Sequence, residues 1–253
     1  MLTSVRSLLA ATIIAAGALS ATPALADDGP FTISGSAAVA SQYRFRGIAQ
    51  SDNKPVVQGS ITLSHSSGFY VSTWGSSASP GPYVDIGGTE IDVYGGFTHD
   101  LGDSGVNVDV GLYGYLYPGA PGGNYYEIYG NLSKTLGPVD AKVGVWVAPG
   151  QTNVSRTNTY VFGELSGGIP GTPISLHGHL GHTGGAFDYP YDGVAKDYLD
   201  YSLGASVSWK ALTLDVSWVG TNLSDSDFAT SGDPVEAKRA AKSVGVVTLS
   251  ASF

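Results

Sequence analysis

The chain has no cysteine, a single methionine and little charge, with Asp, Glu, Lys and Arg making up 13% of its 253 residues. Without thiols there is neither a disulfide framework nor a thiolate metal centre, so the fold must stand on its backbone ladder and its packing. Soluble domains carry about 25% charged residues; half that proportion is too little for a surface wetted on every side. The 12 basic side chains face 21 acidic ones, which excludes an electrostatic affinity for nucleic acid. After the first 26 residues helical periodicity is hard to find, and there is no apolar stretch of the roughly 20 residues that a spanning helix needs. An exported chain of this kind is either soluble or crosses a membrane as a closed barrel, the only other structure that satisfies every backbone polar group in lipid.

Export is written into the N-terminus. Arg6 is followed by an apolar run from Leu8 to Ala21 and by Ala24-Leu25-Ala26, the small-x-small pattern of a cleaved secretory signal peptide. Residues 1–26 are therefore expected to be removed before Asp27, leaving a single barrel over 27–253 that is more acidic by the loss of Arg6. No segment long enough to fold as a plug is expected ahead of the first strand.

What the chain does have is glycine, tyrosine and two-residue alternation. Alternating segments are predicted at 31–46, 55–66, 68–77, 89–100, 105–117, 124–136, 138–148, 157–167, 173–182, 198–209, 211–221 and 242–253, lengths suited to tilted membrane strands. In 211–221, Leu212, Leu214, Val216 and Trp218 oppose Thr213, Asp215 and Ser217; in 138–148, Val139, Ala141, Val143, Val145 and Val147 oppose Asp140, Lys142 and Gly144. Short connections (66–68, 136–138, Lys210) alternate with long ones rich in Gly, Pro, Asp and Asn, the longest at 183–197 and 222–241. Short periplasmic turns and long outer loops are the rule for outer-membrane barrels, as is a last strand that ends, like 243–253, on a phenylalanine. Phe253 is accordingly read as an assembly signal for the barrel-assembly machinery.

Alternation does not say which face looks inward, because a soluble lipocalin-like barrel hides its apolar rows and a membrane barrel shows them to lipid. Low charge, the loop asymmetry, and aromatic residues near strand ends (Tyr43, Phe45, Phe69, Tyr117, Tyr126, Trp209, Trp218) favour lipid outside, with rings at the interfaces.

The stretch Tyr43-Arg44-Phe45-Arg46-Gly47-Ile48-Ala49-Gln50-Ser51, then Pro55-Val56-Val57-Gln58-Gly59, Gly68-Phe69-Tyr70-Val71 and Trp74-Gly75-Ser76, resembles the TorF family of porin-like proteins. Glu90-Ile91-Asp92-Val93-Tyr94-Gly95-Gly96, Tyr117-Pro118-Gly119-Ala120 and Asn124-Tyr125-Tyr126-Glu127 extend the resemblance over roughly 35–150. It implies a proteobacterial, Gram-negative outer-membrane protein with an ill-defined substrate, and it carries over no catalytic residues.

The proposed inward phase holds Gln42, Arg44, Arg46, Glu90, Asp92, Asp109, Glu127, Lys142, Glu164, His177, His179, Asp200 and Asp215. Such rows either set solute selectivity or pair up and close the bore. Arg44 and Arg46, adjacent on one phase, are expected to pair with Glu90 and Asp92 or to bind an anionic solute. His177 and His179 share a face near His182, but no HExxH spacing or fixed acidic partner points to a metal. The acidic stretch from Ser224 to Glu236 lacks EF-hand order, and no Ser, His or Asp sits in a catalytic motif.

The sequence thus predicts an all-β, transmembrane, up-and-down antiparallel barrel of about twelve strands, without cofactor, metal or enzymatic activity. Its expected partners are outer-membrane lipid, the barrel-assembly machinery and an unidentified small polar solute. Inward Tyr94, Tyr113, Tyr115 and Trp146 are expected to narrow the bore. Passive passage of small polar solutes is the leading function, and a non-conducting barrel with a structural or surface-recognition role is the alternative.

Overall fold

The computed structural model describes residues 29–191 and 193–253; the expected signal peptide lies outside them. Twelve antiparallel strands close into a barrel. They are β1 (Phe31–Ala40), β4 (Val56–His65), β5 (Phe69–Ser77), β6 (Thr89–Asp100), β7 (Val106–Leu116), β8 (Tyr125–Leu136), β9 (Val139–Ala148), β10 (Asn158–Gly168), β11 (Ile174–Gly184), β12 (Tyr198–Trp209), β13 (Leu212–Thr221) and β14 (Val244–Ser252). Each pairs with its sequence neighbours, and β14 returns to β1 to close the sheet. That seam has the shortest ladder of the barrel, 36–40 against 248–252, whereas β1 pairs with β4 along its full length.

The expected alternation is borne out, and its sense is settled by exposure. Along β13, Leu212, Leu214, Val216 and Trp218 are exposed while Thr213, Asp215 and Ser217 are buried. Leu203 on β12 is 71% exposed and Trp209 67%. Rows of Val, Leu and Ile of this kind run round the whole outer wall. A continuous apolar exterior far exceeds the patches of a few hundred Å² that soluble monomers tolerate, and it is the surface that hydrocarbon wets in a transmembrane barrel.

At one end the strands are joined by tight connections at 66–68, 101–105, 137–138, 169–173 and 210–211. Gly68 and Gly137 supply the positive φ that two of these turns require. At the other end lie the long loops 41–55, 78–88, 117–124, 149–157, 185–197 and 222–243. The last of these carries α1 (Asp225–Phe228) and α2 (Pro234–Ala241). The sequence pattern predicts a loop there, although Asp233-Pro234 is a strong helix-start signal: Asp233 caps the Glu236 amide and proline takes the first helical turn.

The first strand ends earlier than expected. Chain beyond Ala40 leaves the wall, and loop 41–55 forms a small hairpin, β2 (Arg44–Phe45) and β3 (Ile48–Ala49), paired Arg44 to Ala49 and Phe45 to Ile48. Its two-residue turn, Arg46-Gly47, has both φ positive, 47° and 79°, as a type I′ turn demands. Three of the expected interface aromatics are corrected: Tyr43 and Tyr117 are buried inside, whereas Phe69, Tyr126, Trp209 and Trp218 are exposed on the outer wall. Phe45 turns inward too, packing against Tyr115.

Candidate functional site in the barrel lumen

Large rings fill one arc of the interior. Tyr94, Tyr113, Tyr115, Tyr129, Trp146, Tyr160 and Phe162, contributed by β6 to β10, form a buried column with Trp74 and Tyr43. They pack in sequence: Tyr94 stacks on Tyr113 at 4.5 Å and Tyr129 on Trp146 at 4.6 Å between centroids, while Tyr113 and Tyr115 meet at a tilt, 4.7 Å apart. Glycine makes room for them. Gly111 lies directly across from Tyr129, and Gly144 from Phe162, and a Cβ at either position would collide with the facing ring. Part of the chain's glycine thus serves the packing of these rings rather than flexibility.

Inward phenols are tied to inward carboxylates. Tyr113 Oη donates to Asp92 Oδ2 at 2.8 Å, Tyr70 Oη to Asp109 Oδ1 at 2.7 Å, Tyr115 Oη to Glu127 Oε2 at 2.9 Å, and Tyr160 Oη to Asp200 Oδ1 at 3.1 Å. Asn131 adds a second donor to Asp109 and receives the Trp146 indole N–H. His179 bridges Glu164 (Nδ1, 3.1 Å) and Asp200 (Nε2, 3.0 Å), with Lys142 4.0 Å from Glu164. His177 sits 2.6 Å from Asp215, which also accepts from Ser217. The strands therefore present seven carboxylates to the interior (Glu90, Asp92, Asp109, Glu127, Glu164, Asp200, Asp215) against a single lysine, Lys142. Among the described residues no group of three or more His, Asp and Glu converges as a metal centre would.

The hairpin brings the two cations. Arg46, at its tip, is 3% exposed and its Nη2 donates to both oxygens of Glu127, at 2.9 and 2.7 Å. Its guanidinium carbon lies 4.1 Å from the centre of the Tyr160 ring and 4.7 Å from that of Phe45. Arg44 turns the other way. It donates to the carbonyls of Gly47 (2.8 Å), Ala240 (3.0 Å) and Lys242 (3.0 Å), and to Asn53 and Gln42. The expected pairing of both arginines with Glu90 and Asp92 is thus corrected: they are loop residues, not strand neighbours, and the turn sends the two side chains to different partners.

Every strand-borne candidate (Glu90, Asp92, Asp109, Glu127, Lys142, His177, His179, Asp215) faces the interior, and the structure ties them to partners in separate clusters rather than in one ring. Sequence reasoning missed the hairpin tip and the outer cap. In the cap, Ile48 and Ala49 pack with Tyr189, Tyr198, Phe228, Ala237, Ala240 and Ala241, so loops 41–55, 185–197 and 222–243 close over the outer end. An Arg-Gly pair between Phe45 and Ile48 is the signal that could have revealed the hairpin.

The acidic stretch Ser224 to Glu236 is used up in caps and ion pairs. Asp227 accepts from Ser224 and pairs with Lys196 at 2.8 Å, and Asp225 pairs with Lys238. Lys196 holds the Asp227 carboxyl down, at a pKa of about 2. Asp52, tied to Lys54 and Arg239, is likewise lowered.

Opposite the aromatic arc the wall is thin. Ser36, Ala38 and Ala40 of β1, Gly59 of β4, and Thr248 and Ser250 of β14 line a cavity of about 90 Å³, roofed by 42–46 and bounded across the bore by Trp74, Asp92, Tyr113 and Trp146. That volume holds roughly half a dozen waters.

An apolar belt outside and a charged, hydrogen-bonded interior define a membrane-spanning β-barrel. A family model described as a bacterial protein of unknown function (Gcw_chp) matches residues 24–253, and the chain belongs to that family. Among curated proteins no relative is matched. Among solved structures the barrel is similar to one from a study of the in-meso crystallization of membrane proteins, at 8% identity and a TM-score of 0.52, covering 87% of this chain and 83% of that one. OccK3 (OpdO) of Pseudomonas aeruginosa aligns at 12% identity and a TM-score of 0.41 over 91% of this chain and 67% of that one. LpxR from Salmonella typhimurium aligns at 9% and 0.44 over 87% and 99%. The likeness in fold rests on the first of these.

Proposed function

We propose that the chain is an outer-membrane porin-like barrel of the TorF type, through which small polar solutes diffuse passively. The observation that carries this reading is the asymmetric interior: a fixed arc of rings and carboxylates faces a smooth arc of Ser, Ala and Gly, with a cavity between them. A barrel with only a structural role has no need of that space, since small barrels fill their interiors with side chains. The roof over the cavity is loop, not strand, so displacing 42–46 widens the bore without disturbing the ladder. Solute passes, in this reading, along β14, β1 and β4, and no chemistry is done on it.

Planar-bilayer recording tests the reading. The refolded protein is expected to show small, discrete conductance steps that grow when residues 43–50 are replaced by a short Gly-Ser linker. A variant that keeps the heat-modifiable mobility of a folded barrel and stays silent overturns it. The second reading, a closed barrel that presents its outer loops for recognition, is favoured by one observation, the packed cap of Ile48, Tyr189, Phe228 and Ala237, and a silent linker variant would select it.

A further inference from the structure

Arg46 occupies a receptor that the wall builds without it. Glu127 on β8 is completely buried, Tyr115 on β7 orients its Oε2 through the 2.9 Å hydrogen bond, and Tyr160 on β10 offers a ring face. These three side chains stand on neighbouring or near-neighbouring strands and are themselves braced: Tyr115 stacks on Tyr125 at 4.3 Å, and Tyr160 is held by Asp200 and by His179 at 2.7 Å. A carboxylate beside an aromatic face is the arrangement that selects a planar guanidinium, which can hydrogen-bond in its plane and stack across it.

The tenant, by contrast, is delivered by a loop and fits imperfectly. Arg46 sits at a φ of 47°, in the left-handed region that costs a non-glycine residue free energy. A single nitrogen, Nη2, serves both carboxylate oxygens, and Nη1 has no protein hydrogen-bond partner. Two parallel bonds from two nitrogens are the favoured geometry for this pair. The tether prevents it; a free guanidinium is under no such constraint. The cavity roofed by the hairpin touches Arg46, Tyr115 and Tyr160, so the receptor borders the open space. The surrounding strand-borne side chains are acidic in balance, seven carboxylates to one lysine and two histidines, which favours cations there over anions.

We propose that the pocket formed by Glu127, Tyr115 and Tyr160 is a binding site for small solutes bearing a guanidinium group, and that Arg46 is its tethered stand-in. An incoming guanidinium replaces Arg46 on Glu127, so no buried carboxylate is left unpaired, and the hairpin tip is released from the bore. The gating consequence rests on the porin-like reading above; the binding does not.

The test uses the mature chain refolded in detergent, with methylguanidinium as probe at constant ionic strength, followed by calorimetry and by the shift in thermal midpoint. Arg46→Ala empties the pocket and is expected to bind methylguanidinium saturably, about tenfold more tightly than methylammonium, which lacks the planar fork. The double variant Arg46→Ala with Glu127→Gln is expected to lose that preference. Wild type is expected to bind about tenfold more weakly than Arg46→Ala, because a short tether holds the competing guanidinium at an effective concentration in the millimolar range.

Equal affinity for the two cations, or binding that survives Glu127→Gln, overturns the proposal. Should Arg46→Ala fail to fold, Arg46→Gln serves in its place, and wild type titrated to higher concentration must still prefer methylguanidinium to methylammonium. Bilayer recording in methylguanidinium chloride separates the two readings. Selective binding by a silent barrel refutes passage and keeps the site, whereas a conducting barrel with no guanidinium preference keeps passage and refutes the site.

Discussion

The Nη1 group of Arg44 donates to the carbonyl oxygen of Ala240, in the last turn of α2, and also to that of Lys242. One side chain of the inward hairpin therefore terminates a helix of the outer cap, 196 residues further along the chain. Cation and helix C-terminus suit one another electrostatically. Replacing Arg44 with alanine strips these carbonyls of their donor, at a cost of about 1–3 kcal/mol for each buried acceptor left unpaired. Hydrogen exchange is expected to accelerate across 234–241, and protease nicking to appear in 222–243. Arg44→Lys, a point charge that cannot reach all of these acceptors, should fall between.

Arg46 and Glu127 make a different kind of pair. Both are buried, so the attraction of each for the other offsets a desolvation cost that neither could bear alone. Glu127→Ala leaves a guanidinium in the bore without its carboxylate, a loss of about 3–5 kcal/mol. Urea unfolding in detergent is expected to register it. The paired substitution Arg46→Leu with Glu127→Leu should recover most of that stability, since no charge then remains to be compensated.

The lipid-facing assignment can be checked by one charge. Val216 lies mid-strand on β13, between outward Val247 and Ala205. Val216→Arg is expected to cost about 2–4 kcal/mol in vesicle-refolding titrations, the penalty for arginine near the bilayer midplane. Ala38→Ser, on the opposite face of the wall and lining the cavity, is expected to change stability by under about 0.5 kcal/mol.

Much of this fold is legible in the sequence because strand side chains repeat every two residues and one face of each strand meets a single solvent. Leu212, Leu214, Val216 and Trp218 announce β13 and its outward face together, and the other strands follow suit to within a few residues. The first strand misleads for a physical reason. Residues 41–46 keep an apolar-polar alternation although they have left the wall, because Tyr43 and Phe45 face the aromatic arc while Arg44 and Arg46 find carbonyl and carboxylate partners within the bore. Local pattern reports burial on alternate sides; it does not report which elements do the burying. Nor can it report that Tyr189 and Phe228 meet over the outer end, since their contact depends on two loops folding toward each other.

Loops 185–197 and 222–243 are joined by Lys196 and Asp227. The Asp227 carboxyl is lowered from 3.8 to about 2 in the folded protein, so the folded state holds its proton less tightly than the unfolded chain. The tie is fully present above about pH 4 and is lost as the pH falls through about 2. Protease susceptibility or exchange in 222–243, followed from pH 5 to pH 2, should rise over that window. Asp227→Asn is expected to raise it at pH 5 and flatten the dependence.

Phe253 reaches across the seam, where its amide and carbonyl exchange hydrogen bonds with Gly35 at 3.0 Å each. Its ring covers Gly35, where a Cβ would meet the ring edge. Deleting Phe253 removes both the ring and the last rung of the seam. Folded protein recovered from outer membranes is expected to fall severalfold, with a smaller effect on refolding from urea into detergent; an equal effect on both would assign Phe253 to stability rather than to assembly.

The ladder between β1 and β14 is the shortest in the barrel and lies along the arc whose inward side chains are the smallest. Every other neighbouring pair of strands has a ladder of seven or more residue pairs, against five here. A cylinder made this way has a built-in line of weakness, where the paired run is short, only the flanking Gly35–Phe253 and Ser41–Val247 bonds extend it, and no bulky group must be dragged through a gap. Mechanical or thermal unzipping should begin at that line, with the aromatic arc across the bore acting as the spine that stays whole while the two ends of the sheet part.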